Sequence, residues 1–435
     1  MAALLLTSMV WSGHAQEKNE MDLSGEWAFQ TDVMDFRRGS LDVRYCHRLQ
    51  ESIVLPGITD DYKIGYKSPY RHLDRLTRVY EYMGPAWYQR EIEIPAAWKG
   101  KRIFLYFERT HWLSSVYVGK EEVSKIDYIS IPHNHELTQW LHPGKKELIT
   151  FCIDNRYQYD THKWDHAHSE FTQINWNGVL GEIKLVAVDP VYVDDMQVYP
   201  DIKNKSIKVK MTVRNCTEHT ASGKISFHVT GKDYRLQKEV PVTVTDSITY
   251  IEEEMFLGKD IHLWNEFHPN LYTLDCKLTS SVEGQSYAHE KSTTFGMREV
   301  EAGEDHIILN GEPIHLRGTV ENAVFPKTGY APVDDASWER VLRILKEYGM
   351  NHMRFHSWCP PAAAFRMADK LGVYLEVEMP MWGKDAQPDE KRWNFFRREL
   401  RGILKEYGNH PSFILYCNGN EITGDFIFFC FEKDG

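Results

Sequence analysis

The residues best suited to do chemistry lie at the end of the stretch from Asn409 to Glu421. Phe413 to Cys417 is a short unbroken apolar run, which predicts a parallel strand covered on both faces. The run stops at a polar tip that ends in Asn420 and Glu421. A carboxyl group at the carboxyl end of such a strand lies where enzymes built on parallel strands keep their reactive groups. An ordinary strand-to-helix loop with a solvated glutamate explains the same spacing.

Three strands and three helices are predicted before this tip, and they must position it. The predicted strands are Ile314 to Thr319, Asn351 to His356 and Val373 to Glu378, and the predicted helices run from Asp334 or Asp335 to Gly349, from Pro360 to Gly372 and from Trp393 to Tyr407. The first and third helices each have one apolar face that is expected to point inward. In the first helix this face is formed by Trp338, Val341, Leu342, Leu345 and Tyr348, and in the third by Phe396, Leu400, Ile403 and Leu404. Alternating strands and helices of this kind predict the first half of a (β/α)8 TIM barrel.

The rest of the chain is expected to be all-β. Short alternating strands before Pro190 indicate a β-sandwich, and a second block of about 100 residues, 191–296, fits an immunoglobulin-like sandwich. Pro241 within the predicted strand from Glu239 to Val244 indicates an edge strand. The chain is therefore predicted to be multidomain, with a β-sandwich at residues 17–190, another at 191–296 and a partial barrel at 297–435.

Composition restricts the partners. The 435 residues carry a formal net charge of -12, which argues against a nucleic-acid-binding surface. The 13 Trp and 23 Tyr residues suit both the cores of β-sandwiches and the stacking of aromatic rings on sugars. We expect an oligosaccharide or polysaccharide partner, no nucleic acid, no membrane span and no cofactor, and an oligomer is compatible with the sequence. Seven Cys show no Cys-x-x-Cys pair and are expected to be mostly buried free thiols.

The motif at the polar tip resembles the acid/base signature of glycoside hydrolase family 2, the group of β-galactosidases, β-glucuronidases and β-mannosidases. The matching residues are Asn409-His410-Pro411-Ser412 before the strand and Gly419-Asn420-Glu421 after it. Upstream, Leu23-Ser24-Gly25-Glu26-Trp27, Leu55-Pro56-Gly57 and Trp87-Tyr88 resemble the family's N-terminal jelly-roll domain. The resemblance implies a retaining, β-galactosidase-like hydrolase of terminal β-linked sugars, with Glu421 as acid/base and Asn420 on the 2-hydroxyl of the sugar.

The same resemblance supplies further candidates at the strand tips. Arg354 and His356 are expected to bind sugar hydroxyls, although an Arg354 ion pair with Glu378 that stiffens the site is an alternative. Trp358 and Trp382 follow the second and third strands, and we expect one of them to stack on a pyranose while the other packs in the core. Arg317 to Asn322 departs from the family's Arg-Gly-x-Asn-x-His pattern, which indicates a branch away from ordinary β-galactosidases.

The family's nucleophile lies well after its acid/base, whereas only 14 residues follow Glu421. We therefore expect a chain truncated within the barrel and inactive for lack of the nucleophile, with Glu378 a weak replacement. Residues 426–431 form an apolar run without helical period, which is interpreted as a frameshifted end. The alternative function is a non-catalytic carbohydrate-binding protein with a vestigial barrel.

Two smaller patterns complete the sequence-based predictions. Ala2 to Val10 is apolar and is followed by small residues, which predicts a signal peptide over residues 1–16 and a periplasmic or secreted protein, with a disordered tail as the alternative.

His162, His166 and His168 cluster in one loop, but they lack the ligand pattern of a zinc site and are expected at the surface, so that no metal is predicted. Trp176, on a turn nearby, is expected to plug the sandwich.

Overall fold

A computed structural model of the protein describes residues 19–34, 49–172, 175–383 and 389–422. The predicted signal peptide and the apolar run at 426–431 lie outside the described residues, as do Cys46 and Cys430. In the described part of the chain, no helix combines the length and apolar character needed to cross a bilayer.

The first unit is a sandwich of two antiparallel sheets. Its strands are β1 Glu20–Asp22, β2 Gly25–Thr31, β3 Glu51–Leu55, β4 Gly57–Ile58, β5 Tyr66–Lys67, β6 Tyr80–Glu81, β7 Pro85–Glu93, β8 Arg102–Thr110, β9 Leu113–Val118, β10 Glu121–Ile126, β11 His133–Glu136, β12 Lys146–Asp154 and β13 Gly178–Val188, with short 3-10 turns at Thr59–Tyr62 and Ala96–Trp98. One sheet has the order β1-β13-β8-β11 with β4 beside β13, and the other has the order β10-β9-β12-β7-β2-β3. β5 and β6 form a separate pair.

Alternating inward residues join these two sheets through an aromatic core. Phe107 of β8 meets Phe151 of β12 with ring centroids 4.8 Å apart, and Tyr88 of β7 stacks on Phe151 at the same distance. Each ring has an exposed fraction of 0%. Large rings of this kind bury more apolar area than any other side chain, so they account for much of the stability of the sandwich. Trp176 packs against Ile58 and Leu180 at one end of it, as a plug.

The second unit is a smaller antiparallel sandwich. Its strands are β14 Val191–Asp201, β15 Ser206–Asn215, β16 Ala221–Gly231, β17 Tyr234–Val244, β18 Ile248–Phe256, β19 Tyr272–Val282 and β20 Gln285–Phe295, arranged as β14-β15-β18 and β17-β16-β19-β20. Pro241 lies in β17, which is an edge strand, as its missing N–H requires. Val209, Phe227 and Leu274 face one another in the core.

The third unit begins with a three-stranded antiparallel sheet, β21 Val300–Ala302, β22 Ile307–Leu309 and β23 Glu312–Ile314. Four parallel strands and three helices follow, β24 Gly318–Glu321, α1 Asp335–Glu347, β25 His352–Phe355, α2 Ala362–Leu371, β26 Tyr374–Glu378, α3 Glu390–Tyr407 and β27 Phe413–Cys417. The sheet order β24-β25-β26-β27 follows the chain. The structure is thus several antiparallel sandwiches and sheets followed by a parallel α/β segment.

Local sequence signals explain where these helices begin and end. Asp334 caps α1 by accepting a hydrogen bond from the N–H of Ser337, and Asp389 caps α3 by accepting one from the N–H of Arg392. Gly372 ends α2 in the left-handed conformation at φ 66°. These caps fix the lengths of the helices and therefore the positions at which the next strands start.

Four details of the prediction were wrong. The first predicted strand, Ile314 to Thr319, is divided between β23 and β24, because its first residue pairs with β22 instead of the parallel sheet. Tyr348 is 79% and Leu404 is 45% exposed rather than inward, since each lies at the margin of its helix's apolar face. β27 is only half-buried beyond Phe413, because among the described residues it pairs with β26 alone.

Candidate functional site

The carboxyl ends of β25, β26 and β27 bring four predicted site residues together. Parallel pairing places Arg354 of β25 beside β26, and Glu378 at the end of β26 opposite Cys417, three residues before Asn420. Arg354 donates hydrogen bonds through Nε to Glu378 Oε1 at 2.8 Å and through Nη2 to Asn420 Oδ1 at 2.9 Å. The register of the sheet, rather than proximity in sequence, therefore assembles Arg354, Glu378, Asn420 and Glu421.

Asn420 is fixed by backbone and side chain alike. Its N–H donates to the carbonyl of Met381 at 2.9 Å, and its carbonyl accepts from the N–H of Gly383 at 3.2 Å. Because a guanidinium only donates hydrogen bonds, the atom that faces Arg354 must be the amide oxygen of Asn420. The amide nitrogen, a hydrogen-bond donor, then has no hydrogen bond to any other residue that the structure describes.

Glu421 is exposed and lies in the left-handed backbone region, at φ 51°. A non-glycine residue in this region costs about 1 kcal/mol or more, and such residues are common at functional sites. The indole N–H of Trp382 donates to Glu421 Oε2 at 3.0 Å. This bond occupies one carboxyl oxygen and leaves the other for a ligand.

Glu378 is a positioning group rather than a group that a ligand can reach. Its side chain has an exposed fraction of 0%, and it accepts from both Arg354 nitrogens and from the N–H of Ser357 at 2.5 Å. Burial raises its pKa, while the Ser357 N–H and Arg354 oppose that rise. The ion pair considered as an alternative for Arg354 and Glu378 is therefore present.

The neighbouring Glu376 is likewise held in place. Its carboxylate lies 3.4 Å from Arg354 Nε and 3.5 Å from His352 Nε2. Burial raises the pKa of Glu376, and Arg354 opposes the rise. The two carboxylates of β26, Glu376 and Glu378, are thus both paired with Arg354.

His356 receives a partner from the first sandwich. His356 Nδ1 and His166 Nδ1 are 3.0 Å apart, and His166 Nδ1 is also 3.0 Å from Ser357 Oγ. The backbone N–H of His166 donates to the same hydroxyl at 2.9 Å, so His356, His166 and Ser357 form one hydrogen-bonded group. Burial lowers the pKa of His166 to about 4 and that of His356 as well.

The placement of His166 corrects the expected surface cluster. His166 is 6% and His168 is 0% exposed, and His162 is half-buried. The His166 ring packs against His356 and Trp382 of the parallel unit, whereas the His168 ring packs against Trp112 and Tyr157 of its own unit. Periodicity within a loop does not reveal either set of contacts. Asp165 organises this loop by accepting from Thr161 Oγ1 and the N–H of His168, both at 2.8 Å. Burial raises the pKa of Asp165 to about 7.

The two candidate tryptophans differ in their surroundings. Trp382 is half-buried between His356 and His166, with ring centroids 4.7 and 5.6 Å away. Trp358 is 4% exposed, packs edge-on against Phe355 and donates its indole N–H to the carbonyl of Glu321 at 3.0 Å. Trp382 therefore belongs to the site, whereas Trp358 belongs to the core, because its polar atom already has an internal partner.

Glu321, at the tip of β24, was not among the predicted site residues. Its carboxylate accepts from the N–H of Ala323 at 2.8 Å, and burial raises its pKa to about 7. Its backbone carbonyl also accepts from the N–H of His356 at 3.0 Å. The signal available in the sequence was its position at a strand end, within the segment that departs from the family pattern.

The motif before β27 fixes the strand to both neighbours. Asn409 bonds the second sandwich through the N–H of Val198 at 2.8 Å and the carbonyl of Met196 at 3.0 Å. His410 Nδ1 and the N–H of Ser412 bond opposite oxygens of buried Asp369, at 2.5 and 3.0 Å. The motif thus sets where β27 begins, and in consequence where Glu421 stands.

No group of three or more His, Cys, Asp or Glu in the described ranges has the arrangement of a metal site. The described cysteines are free, with Cys152, Cys276 and Cys359 buried, Cys417 half-buried and Cys216 exposed.

Comparisons with known proteins agree with the fold. The family model described as glycosyl hydrolases family 2 matches residues 191–298. The β-galactosidase of Thermoanaerobacter pseudethanolicus is 23% identical over 77% of this chain and 44% of its own length. The β-glucuronidase of Sus scrofa is 21% identical over 96% of this chain and 66% of its own length.

Solved structures show the same fold. A Bacteroides uniformis β-glucuronidase 2, covalently bound to cyclophellitol-6-carboxylate aziridine, superposes with a TM-score of 0.74 at 20% identity, over 92% of this chain and 47% of that one. The apo β-glucuronidase of Ruminococcus gnavus superposes with a TM-score of 0.72 at 19% identity, over 93% of this chain and 67% of that one. The chain spans about half the length of the first curated relatives it matches. Residues 191–298 thus match the model of glycoside hydrolase family 2, and most of the chain is similar to β-galactosidases and β-glucuronidases.

Proposed function

We propose that this chain carries the sugar-binding and acid/base side of a glycoside hydrolase site for terminal β-linked sugars, with the retaining, β-galactosidase-like chemistry of its family. The observation that carries the proposal is the strand-tip cluster, in which the Glu421 carboxylate accepts from Trp382 at 3.0 Å beside the Arg354–Asn420 pair. In this proposal Glu421 faces the leaving oxygen as the acid/base of the family's reaction, a reaction that also needs a second carboxylate.

The remaining groups at the tips would hold the sugar ring. The free amide nitrogen of Asn420 would donate to the 2-hydroxyl, an interaction that strengthens in an oxocarbenium-like transition state. Nε2 of His356 would form a hydrogen bond with a second hydroxyl, and Arg354, 28% exposed, would donate to a third. Glu378 would act through Arg354, by fixing the guanidinium that fixes Asn420.

The proposal includes the finer fold. We assign residues 17–190 to a jelly-roll sandwich, 191–296 to an immunoglobulin-like sandwich and 297–435 to strands one to four of a TIM barrel. The support is that two pairs of sheets and a four-stranded parallel sheet fall within these ranges. We also propose export to the periplasm or medium through residues 1–16, which N-terminal sequencing of the mature protein tests.

Hydrolysis with retention needs a second carboxylate about 5 to 5.5 Å from the acid/base. Glu378 has an exposed fraction of 0%, and Glu376 lies against Arg354 and His352. Neither is free to attack an anomeric carbon, because an arginine-paired, enclosed carboxylate is a poor nucleophile for an external substrate. The proposal is therefore that β26 supplies no nucleophile to the described part of the site, and we expect the chain to bind a β-glycoside without cleaving it.

The test is to measure both binding and release of nitrophenol with nitrophenyl β-galactoside and β-glucuronide. We expect saturable binding and no release above the blank. Robust hydrolysis that disappears in Glu421→Gln would contradict the absence of a nucleophile. If Glu421→Gln leaves binding unchanged, the result would instead favour a carbohydrate-binding protein with a vestigial barrel. The pairing of Glu376 and Glu378 with Arg354 also supports that alternative.

A further inference from the structure

A chain of polar side chains runs through the first sandwich and has no role in the proposed glycoside site. His133 Nε2 lies 2.8 Å from the carbonyl of Tyr128, and His133 Nδ1 lies 2.6 Å from Ser114 Oγ. Ser114 Oγ is also 2.8 Å from His135 Nε2, and His135 Nδ1 is 2.8 Å from Ser124 Oγ. Ser114 and both histidines are fully buried, whereas Ser124 of β10 is only half-buried. The chain of hydrogen bonds therefore leads from the core to a hydroxyl near the surface.

The carbonyl at its inner end fixes the direction of every hydrogen bond in this chain. A carbonyl only accepts, so His133 donates to it from Nε2, and His133 Nδ1 carries a lone pair while the ring is neutral. Burial keeps both rings neutral, since it lowers the pKa of His133 to about 4 and that of His135 well below its usual value. Ser114 then donates to His133 and accepts from His135 Nε2, because its other contact, with the carbonyl of Ile126, is longer at 3.4 Å. His135 Nδ1 is left as the acceptor of the Ser124 hydroxyl proton.

Ser124 lines a cleft of about 280 Å³ at the edge of the sandwich, where β10 and β11 each end a sheet. Arg102 and Glu136 line the same cleft, and Arg102 Nη2 forms an ion pair with Glu136. The Nε atom of Arg102 is buried and has no hydrogen-bond partner among the residues that the structure describes. One cleft thus contains a serine whose proton is directed to an imidazole and an N–H donor that is not yet used.

We infer that Ser124 and His135 form a second reactive site, which hydrolyses carboxylate esters with a small acyl group. Ser124 Oγ attacks the carbonyl carbon, and its proton passes to His135 Nδ1 as the new Oγ–C bond forms. Arg102 Nε–H donates to the carbonyl oxygen, which becomes negative. The bond to the alcohol oxygen then breaks, and the alcohol leaves with that proton. Water releases the acid from the acylated serine by the same steps, and the volume of the cleft favours a short acyl group.

The buried chain moves the charge of the transferred proton away from His135. A cation on that ring alone is costly, because the ring is fully enclosed. When His135 gains a proton on Nδ1, it passes its Nε2 proton to Ser114, and Ser114 passes its own to His133. The positive charge then lies on His133, where the Asp127 carboxylate favours it and Arg109 opposes it. Ser114 and His133 are therefore positioning residues, and a base this weak makes the reaction slow.

The experiment treats the full chain with a fluorophosphonate, which forms a bond to an activated serine oxygen and releases fluoride, and locates the label by mass spectrometry. Labelling needs no turnover, so it detects a slow site. We expect a label on Ser124 that is absent in Ser124→Ala and that forms about 100-fold more slowly in His135→Gln. Ser222→Ala, which removes an exposed serine of β16 in the second sandwich, is the matched control and should label at the unchanged rate.

Ser114→Ala separates a proton relay from a network that only supports the fold. It keeps Ser124 beside His135 but removes the path to His133, so labelling should slow by about 10-fold at an unchanged urea midpoint. The rate in the unmodified chain should stay constant from pH 8 to pH 5, whereas a serine paired with an ordinary histidine loses rate below about pH 6.5. Failure to label Ser124, or labelling at the full rate in folded Ser114→Ala and His135→Gln, would overturn the inference. Neither result bears on glycoside binding at Glu421.

Discussion

Removing the guanidinium of Arg354 should destabilise the chain in a pH-dependent way. Arg354→Ala deletes both side-chain donors to the Glu378 carboxylate, which is fully buried, and leaves it only the N–H of Ser357. Breaking a buried ion pair costs about 3–5 kcal/mol. Because Arg354 is 28% exposed and Ser357 remains, we expect the lower end, about 3 kcal/mol at pH 8.

The pH dependence follows from the carboxyl left behind. Without Arg354, the folded-state pKa of Glu378 rises further above its unfolded value, since burial already raises it. A raised folded pKa means that stability is retained at low pH and lost as pH rises through that value. The cost of the substitution should therefore fall to less than half when the pH is lowered from 8 to 5.

Urea titration followed by tryptophan fluorescence at pH 8 and pH 5 measures this difference. Arg366→Ala is the matched control, because Arg366 pairs with Asp335 at 2.6 Å but both side chains are more than 40% exposed. Its cost should be about 0–1 kcal/mol at either pH. A loss for Arg354→Ala no greater than the control, or a loss equal at both pH values, would refute the assignment of Arg354 as the partner that keeps Glu378 ionised.

Two further predictions concern the elements that hold the site. Asp369→Ala removes the carboxylate that bonds His410 and the Ser412 N–H, so it should lower the free energy of unfolding by about 2–3 kcal/mol. Asp369→Asn keeps one acceptor oxygen and should lower it by less. Equal losses for the two variants in a urea titration would contradict this. Burial lowers the pKa of His133 from 6.5 to about 4, so the unfolded chain gains a proton below pH 6.5 that the folded chain refuses. Stability should then decline from pH 6.5 towards 4, less steeply in His133→Gln, and parallel slopes in a pH series of urea midpoints would exclude His133 as the cause.

The sequence predicted the parallel unit well because its signals are local. Each signal acts within one helical turn or one strand. Asp334 caps the start of α1, Gly372 ends α2, and the apolar run from Phe413 to Cys417 forms β27. Asn420 and Glu421 were predicted as site residues for the same reason, because they form a polar tip that follows a strand.

What the sequence did not predict depends on contacts between distant segments. His166 joins His356 across 190 positions, and Asn409 joins Val198 across 211, so no periodicity within one segment reveals either pair. Trp358 and Trp382 are the same residue type at similar distances after their strands, and only the acceptors of their indole N–H groups distinguish them. Register of the parallel sheet decides these partners.

The most direct measurement of the central claim is a crystal structure of the chain with phenyl β-galactoside or phenyl β-glucuronide bound. The account predicts the glycosidic oxygen within hydrogen-bonding distance of the Glu421 carboxyl oxygen that does not accept from Trp382, and the 2-hydroxyl on the amide nitrogen of Asn420. A glycoside bound away from β25 to β27, or one whose glycosidic oxygen turns away from Glu421, would contradict it.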